Sequence, residues 1–349
     1  MSRFLTVIGN RPQFVKASAV SGALRAVAEE VLVHTGQHYD DELSQVFFDE
    51  LGLPRPEHRL DLGGGSNTAQ TARMLAALED LIRDERPDAI LVYGDTNSTL
   101  AGALAGAQAG LPVAHVEAGM RSYDRRMPEE LNRVLTDHAS SLLLCSSESA
   151  AANLLKEKVA GTVEVVGDVM VDVSMLIQPR VRSRPLPVDV QPGVFVLATA
   201  HRAGNVDDPE RLAQLVSLLR AVPGPVVLPV HPRTAARIEA AGLDLGDVLA
   251  TPPLGYLDFT ALLVHARRVL TDSGGVQKEA YLAGVPCVTL RDTTEWTETV
   301  DAGWNVLVDL DTAAALAALD RELPGERPPL YGDGRAGTRV AAALGRMGA

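Results

Sequence analysis

Short apolar runs bounded by glycine or proline alternate along most of the chain with longer stretches in which apolar residues return every three to four positions. The first pattern predicts strands and the second amphipathic helices, so their alternation predicts βαβ units and parallel sheets. In the first half, strands are expected at Phe4–Ile8, Val31–Thr35, Ala89–Gly94, Pro112–Val116, Ser141–Cys145 and Val163–Val166. A second series is expected at Val194–Thr199, Val226–Val230, Val248–Thr251, Arg268–Thr271, Cys287–Leu290 and Val306–Val308. The proline-rich stretch Arg180–Pro192 between them reads as a linker. The expected organisation is one α/β domain over residues 1–178, a linker over 179–192 and a second domain over 193–330, each a doubly wound parallel sheet. Residues 331–349 form a last segment, helical over Gly337–Met347, expected to cross back to the first domain. A length of 349 residues exceeds what one hydrophobic core usually organises, which agrees with two domains.

Six of these strands run into a residue that can handle charge: Asp95, Glu117, His201, His231, Ser273 and Arg291. Ligands of open α/β sheets bind outside the carboxyl ends of the strands. Two carboxylates, two histidines, an arginine and a Ser-Gly-Gly turn at such ends suit a phosphorylated ligand and proton transfer, which predicts an enzyme.

Composition narrows the partners. A net charge of -13 argues against nucleic acid or an acidic membrane surface, which require a basic face. Residues 98–116 lack Asp, Glu, Lys and Arg, but Gly110 and Pro112 interrupt them, so they predict a buried helix and a strand rather than a membrane span. No signal peptide is recognisable in MSRFLTVIGNRPQ, and a cytoplasmic protein is expected. The two cysteines, Cys145 and Cys287, lie in apolar runs and read as core residues, with no disulfide or metal framework.

Four segments carry the candidate chemistry. The first strand ends in Gly9-Asn10-Arg11-Pro12-Gln13-Phe14-Val15-Lys16, which is not the G-x-G-x-x-G of a dinucleotide turn, so no nicotinamide cofactor is expected. Arg11 and Lys16 at a helix start oppose its dipole unless an anion lies between them. In Thr271-Asp272-Ser273-Gly274-Gly275, a strand gives way to a helix whose free N–H groups can take phosphate, and Glu279 further along can accept from a ribose diol. Glu117 ends a strand among alanine and glycine, where burial would raise its pKa, and Pro128-Glu129-Glu130 opens a helix whose dipole favours the carboxylates.

Together the segments GNRPQFVK, HTGQHYD, GDTNSTLAGALA, HVEAGMRS, RRMPEELNRVLTDH, PVHPR, LTDSGGVQKEA and RDTTEW resemble the non-hydrolysing UDP-N-acetylglucosamine 2-epimerases over essentially the whole chain. The resemblance implies a GT-B-like architecture of two Rossmann-like domains with an interdomain cleft, a homodimer, a UDP-sugar substrate and no cofactor. By position, Asp95, Glu117, Glu129 and His201 fall on the family's catalytic residues. Arg11, Lys16, Phe259, Ser273, Gly274, Gly275 and Glu279 fall on its UDP-binding residues, and His231, Leu254, Arg291 and Trp296 complete the expected substrate-binding set. A regulatory pocket is implied at Gln37, His38 and Arg202, with Asp40 where a second glutamine is common. Trp296 stands where many members have arginine and Lys278 where glutamate is common, traits of a subgroup that includes epimerases of UDP-2,3-diacetamido-2,3-dideoxyglucuronate.

Inverting C2 of an aldose without an adjacent carbonyl or a redox cofactor leaves elimination as the route. UDP leaves C1 as the C2 proton is taken, giving 2-acetamidoglucal, and adds back after reprotonation on the other face. Two faces call for two proton-transfer groups. The expected activity is interconversion of UDP-N-acetylglucosamine and UDP-N-acetylmannosamine, with the diacetamido-glucuronate reaction as the alternative. A GT-B glycosyltransferase is a further alternative, but it would need an acceptor groove in place of the Asp95, Glu117 and Glu129 cluster.

Overall fold

A computed structural model of the protein describes residues 1–37, 51–322 and 325–347. The chain forms two compact units, Met1–Leu176 with Pro329–Ala349, and Ile177–Pro328. In the first, β1 (Arg3–Ile8), α1 (Arg11–Arg25), β2 (Glu29–His34), β3 (His58–Arg59), α2 (Asn67–Glu85), β4 (Ala89–Tyr93) and α3 (Asn97–Gln108) come in order. They are followed by β5 (Val113–Ala118), α4 (Pro128–Ala139), β6 (Leu142–Cys145), α5 (Glu148–Glu157) and β7 (Thr162–Val165), and then by α6 (Val169–Arg182), whose residues from Ile177 on belong to the second unit. The strands pair in parallel in the order β3-β2-β1-β4-β5-β6-β7. Strand β3 is a two-residue edge strand, too short for any hydrophobic pattern to announce.

The second unit continues with β8 (Val196–Thr199), α7 (Ala203–Val206), α8 (Pro209–Ala221), β9 (Val226–Pro229), α9 (Pro232–Ala240), β10 (Leu249–Thr251) and α10 (Tyr256–His265). It closes with β11 (Arg268–Thr271), α11 (Gly274–Ala283), β12 (Cys287–Thr289), α12 (Thr297–Asp301), β13 (Asn305–Leu307) and α13 (Thr312–Asp320). Its six-stranded sheet has the order β10-β9-β8-β11-β12-β13, again with parallel pairing. Central strands such as β4 and β8 are buried at every residue because helices cover both faces, which is why they are largely apolar rather than alternating. Cys145 in β6 and Cys287 in β12 are part of this interior, and burial pushes both thiols up to about 12.

In each sheet the strand order reverses once at a central pair, β1/β4 in the first and β8/β11 in the second. Chains leave such a pair in opposite directions, and the gap at the carboxyl ends is where ligands bind in folds of this kind. In the first unit Gln13 ties this point together. Its Oε1 accepts from the Gly9 N–H at 2.7 Å, and its Nε2 donates to the Tyr93 carbonyl and to Thr99 Oγ1, both at 2.8 Å.

One element differs from the pattern reading. Helix α6 continues through Pro179 to Arg182, so the proline-rich stretch begins inside a helix. The last helix, α14 (Ala336–Met347), packs along α1 in the first unit, its first N–H groups held by Asp172 at 3.1 and 2.9 Å. A Cβ built on Gly337 would lie 2.0 Å from the Ala19 carbonyl oxygen. Because that neighbour is backbone and cannot swing aside, Gly337→Val should push α14 off α1 and destabilise the first unit by about 1–3 kcal/mol, the usual cost of overpacking. Thermal unfolding would show it, and an unchanged transition would mean that this packing contributes nothing.

Candidate active site

The carboxylates of the first unit stand at the carboxyl edge of its sheet. Asp95 follows β4 at the strand-order reversal, ion-paired with the buried guanidinium of Arg133, while Asn132 Nδ2 donates to the Asp95 carbonyl at 3.0 Å. Both partners come from α4, where Glu129 occupies the first turn, half-buried and without a hydrogen bond or ion pair to the other described residues. Its neighbour Glu130 is buried and fully engaged. It accepts from the Ser122 N–H, Ser122 Oγ and the Tyr123 N–H at 2.9 Å each, and lies 3.2 Å from Arg133.

Glu117 has a left-handed backbone, φ 71°, at the point where the β5–β6 register shifts between Val116 and Ala118. A bulge of this kind re-aims a side chain, and the left-handed region is uncommon for a residue with a Cβ. The carboxylate meets the ammonium of Lys16 from α1, with the two side chains 9% and 12% exposed. Burial therefore does not act on Glu117 alone, since a counter-ion accompanies it. A Cβ added at Gly94 would lie 3.2 Å from Lys16 Nζ and 3.4 Å from Glu117 Oε2, so this ion pair sits over the turn that presents Asp95. Arg11 opens α1 at the same reversal, directly after its N-cap Asn10.

Beneath these turns lies a buried charge network. His115 of β5 reaches Asp137 Oδ1 of α4 through Nδ1 at 2.7 Å and the Gly94 carbonyl through Nε2 at 2.6 Å. Asp137 Oδ2 accepts from the Gly119 N–H at 3.1 Å and from Arg121 Nη1 at 2.7 Å, and Arg121 also holds Glu157 bidentately at 2.7 Å. Burial by itself would raise the Asp137 carboxyl, but hydrogen bonds and charge from His115 and Arg121 outweigh it and hold the group below its ordinary value.

In the second unit the corresponding reversal carries His201 after β8 and Ser273 after β11. Ser273 is the N-cap of α11, its side chain accepting from the Val276 N–H, and Gly274 and Gly275 form the first turn. A Cβ on Gly274 would lie 2.0 Å from Glu295 Oε1, so any larger residue there would have to displace that carboxylate. Glu295 pairs with Arg291 at 3.0 Å. The fully buried Asp272 accepts from the backbone N–H groups of His201 and Arg202 and from Asn205 Nδ2, and lies 3.5 Å from His201 Nδ1. His231 caps α9, and burial, followed by the neighbouring His201 and Arg233, holds its imidazole below the ordinary value. Glu279 lies half-buried on α11. Phe259 belongs to the core of this unit, with Leu254 packed against that core.

Residues 23–345 match the family described as UDP-N-acetylglucosamine 2-epimerase. The chain is 48% identical to the UDP-2,3-diacetamido-2,3-dideoxy-D-glucuronate 2-epimerase of Pseudomonas aeruginosa, over 99% of this chain and all of that protein. It is 39% identical to the UDP-N-acetylglucosamine 2-epimerase of Methanocaldococcus jannaschii, over 97% of both. The chain belongs to the UDP-N-acetylglucosamine 2-epimerase family. A crystal structure of the Methanocaldococcus jannaschii UDP-GlcNAc 2-epimerase in complex with UDP-GlcNAc and UDP superposes with a TM-score of 0.90 at 37% identity, covering 99% of both chains. The two parallel-sheet units are thus the GT-B-like α/β architecture of this epimerase family.

Within this epimerase, Lys16 meets Glu117 over the turn that carries Asp95, Arg11 opens α1 after β1, and Glu129 lies on the helix that supports Asp95. His201, Arg202, His231, Ser273, Gly274, Gly275, Glu279, Arg291 and Trp296 belong to the second unit. Trp296 and Lys278, which depart from the common family residues separately in sequence, are one feature in space: the buried Lys278 ammonium lies 4.2 Å from the centre of the Trp296 ring and covers one of its faces. Gln37 accepts from Ser98 N at 3.1 Å and Ser98 Oγ at 2.7 Å, whereas His38 and Asp40 lie outside the described residues. The epimerase residues that pattern reading passed over are Arg133, Asp137, Asp272 and His115. Only His115 left a signal, as an ionisable residue inside the apolar strand VAHVEA.

Proposed function

We propose that this protein is a non-hydrolysing 2-epimerase of UDP-linked 2-acetamido sugars, acting by elimination and re-addition of UDP. The observation that carries the reading is Glu117, a carboxylate in a left-handed bulge, opposed by Lys16 over the turn of Asp95. In the proposed reaction one carboxylate takes the C2 proton while the C1–oxygen bond breaks with its electron pair going to the UDP oxygen. The C1–C2 double bond forms, and a second group protonates C2 from the opposite face before UDP adds back at C1. Asp95, Glu117 and Glu129 supply the proton-transfer groups in this reading. Arg11, His201, His231 and the start of α11 at Ser273–Gly275 stabilise the departing diphosphate, since helix N-termini favour anions. Glu279 takes the ribose. The same proposal has the enzyme work as a cytoplasmic homodimer, in keeping with the family resemblance and with the finding that no described helix is long and apolar enough to cross a membrane.

UDP-N-acetylglucosamine is the expected substrate from the family as a whole. A second reading, UDP-2,3-diacetamido-2,3-dideoxyglucuronate, is favoured by the 48% full-length identity to the Pseudomonas aeruginosa enzyme and by the Lys278–Trp296 pair. Replacing glutamate and arginine by lysine and tryptophan makes that position one charge more positive, which suits a sugar carboxylate. Proton NMR of the protein with each UDP-sugar in deuterium oxide tests both levels. The product should carry deuterium at C2, and full retention of the original proton would defeat the elimination. A specificity constant about tenfold or more higher for the glucuronate derivative, about 1.4 kcal/mol of transition-state binding, assigns it as the substrate.

A further inference from the structure

We infer that His115 is a doubly protonated imidazolium that positions Asp95 and Glu117 from beneath the sheet edge. The inference rests on the epimerase reading for its catalytic consequence and on geometry for the charge. Both ring nitrogens face acceptors, Asp137 Oδ1 at 2.7 Å and the Gly94 carbonyl oxygen at 2.6 Å. A carbonyl oxygen has no proton to give, so Nε2 donates. On the other side, Nδ1 donates if Asp137 is ionised and accepts only if Asp137 is protonated. Asp137 Oδ2 already receives Arg121 Nη1 and the Gly119 N–H, so apart from His115 this carboxyl group faces two donors, one of them a guanidinium, which stabilise the carboxylate.

Counting charges gives the same answer. Arg121 is paired with Glu157, which His138 also approaches at 3.4 Å from the exposed side. Cys145 of β6, near Asp137, is a thiol pushed up to about 12 and carries no charge at neutral pH. Asp137 thus keeps one negative charge at 0% exposure for which His115, also at 0%, is the remaining counter-ion. A buried carboxylate with too few partners costs several kcal/mol. The consequence is mechanical. Gly94 immediately precedes Asp95, and the Gly119 N–H that Asp137 holds lies two residues beyond Glu117. One buried ion pair therefore clamps both turns that carry carboxylates. Since His115 touches neither carboxylate, it is a positioning residue.

The ring state is read by nitrogen NMR of His115 in the wild-type protein, which needs no substrate. Both nitrogens should carry protons at pH 7. A neutral tautomer at pH 7 overturns the inference. His115→Asn retains a donor near the Nδ1 position and His115→Gln one near the Nε2 position, so each keeps half of the clamp. Both should lower kcat by about a hundredfold, the scale expected from an ångström of misplacement. UDP affinity should be unchanged, and the kinetic isotope effect with C2-deuterated substrate should rise as proton transfer becomes limiting. Wild-type turnover in both variants, or lost turnover with an unchanged isotope effect, overturns it, the latter because it marks only a smaller folded fraction. Should the wild-type protein turn over no UDP-sugar, the epimerase reading fails, while the ring state still decides this inference.

Discussion

Replacing Glu117 by glutamine should lower turnover by about a hundred- to ten-thousand-fold, the range over which a positioned general acid or base contributes. The substitution retains the size and planarity of the side chain, and its amide oxygen can still accept from Lys16. What it removes is the ability to take a proton. UDP affinity should stay close to wild type, because most of the residues assigned to the nucleotide, among them His231, Ser273, Gly274, Gly275 and Glu279, belong to the second unit. The backbone argues for the same role. A left-handed φ of 71° on a residue with a Cβ carries strain of about 1–3 kcal/mol, and such strain gathers where a side chain must be aimed. Progress of the reaction by NMR, with isothermal titration of UDP, checks both halves. Near-normal turnover would move the proton chemistry to Asp95 or Glu129.

The largest stability effect is expected at Asp137. In the Asp137→Asn variant the amide cannot reproduce all three contacts of the carboxylate, and Arg121 and His115 lose the negative charge that faces them. Removing one partner of a buried charge pair typically costs about 3–5 kcal/mol. A denaturant titration that follows the first unit should show that loss at neutral pH, and equal stability of the two proteins would mean that the network contributes nothing net. The acid side adds an independent check. Because the folded-state value of Asp137 is depressed, its contribution is present in full above the ordinary carboxyl value of about 4 and fades as pH falls through the folded value. Glu157, held down chiefly by its hydrogen bond to Arg121, acts in the same window. The wild-type protein should therefore lose stability on acidification more steeply than Asp137→Asn, and the two curves should converge at low pH.

The fold was legible because a parallel strand buried on both faces writes its own signature. Runs such as Ala89–Val92 and Val194–Ala198 are apolar throughout, and each leads into the turn that ends a βα unit. The residues at those turns were legible for the same reason: a charged or capping residue just after an apolar run lies at a strand end, where α/β folds bind their ligands. Phe259 illustrates the limit. Its apolar character is equally compatible with core and with ligand contact, and in the structure it is part of the core.

The amino-acid sequence by itself determined the element order, the parallel sheets, the strand-end residues Asp95, Glu117, His201 and Ser273, and the family. Tertiary structure alone decided which group answers each of them. Glu117 meets Lys16 across 101 residues, Asp95 meets Arg133 across 38, and Asp272 reaches the His201 N–H across 71. Hydrophobic periodicity reports how each segment is buried and on which face, because burial acts on every residue through its own surface. Which cation ends up beside which carboxylate depends on the strand order and on the packing of helices from distant parts of the chain. No local pattern encodes that. The bulge that turns Glu117 toward Lys16 is likewise a property of the β5–β6 pairing and of neither strand alone.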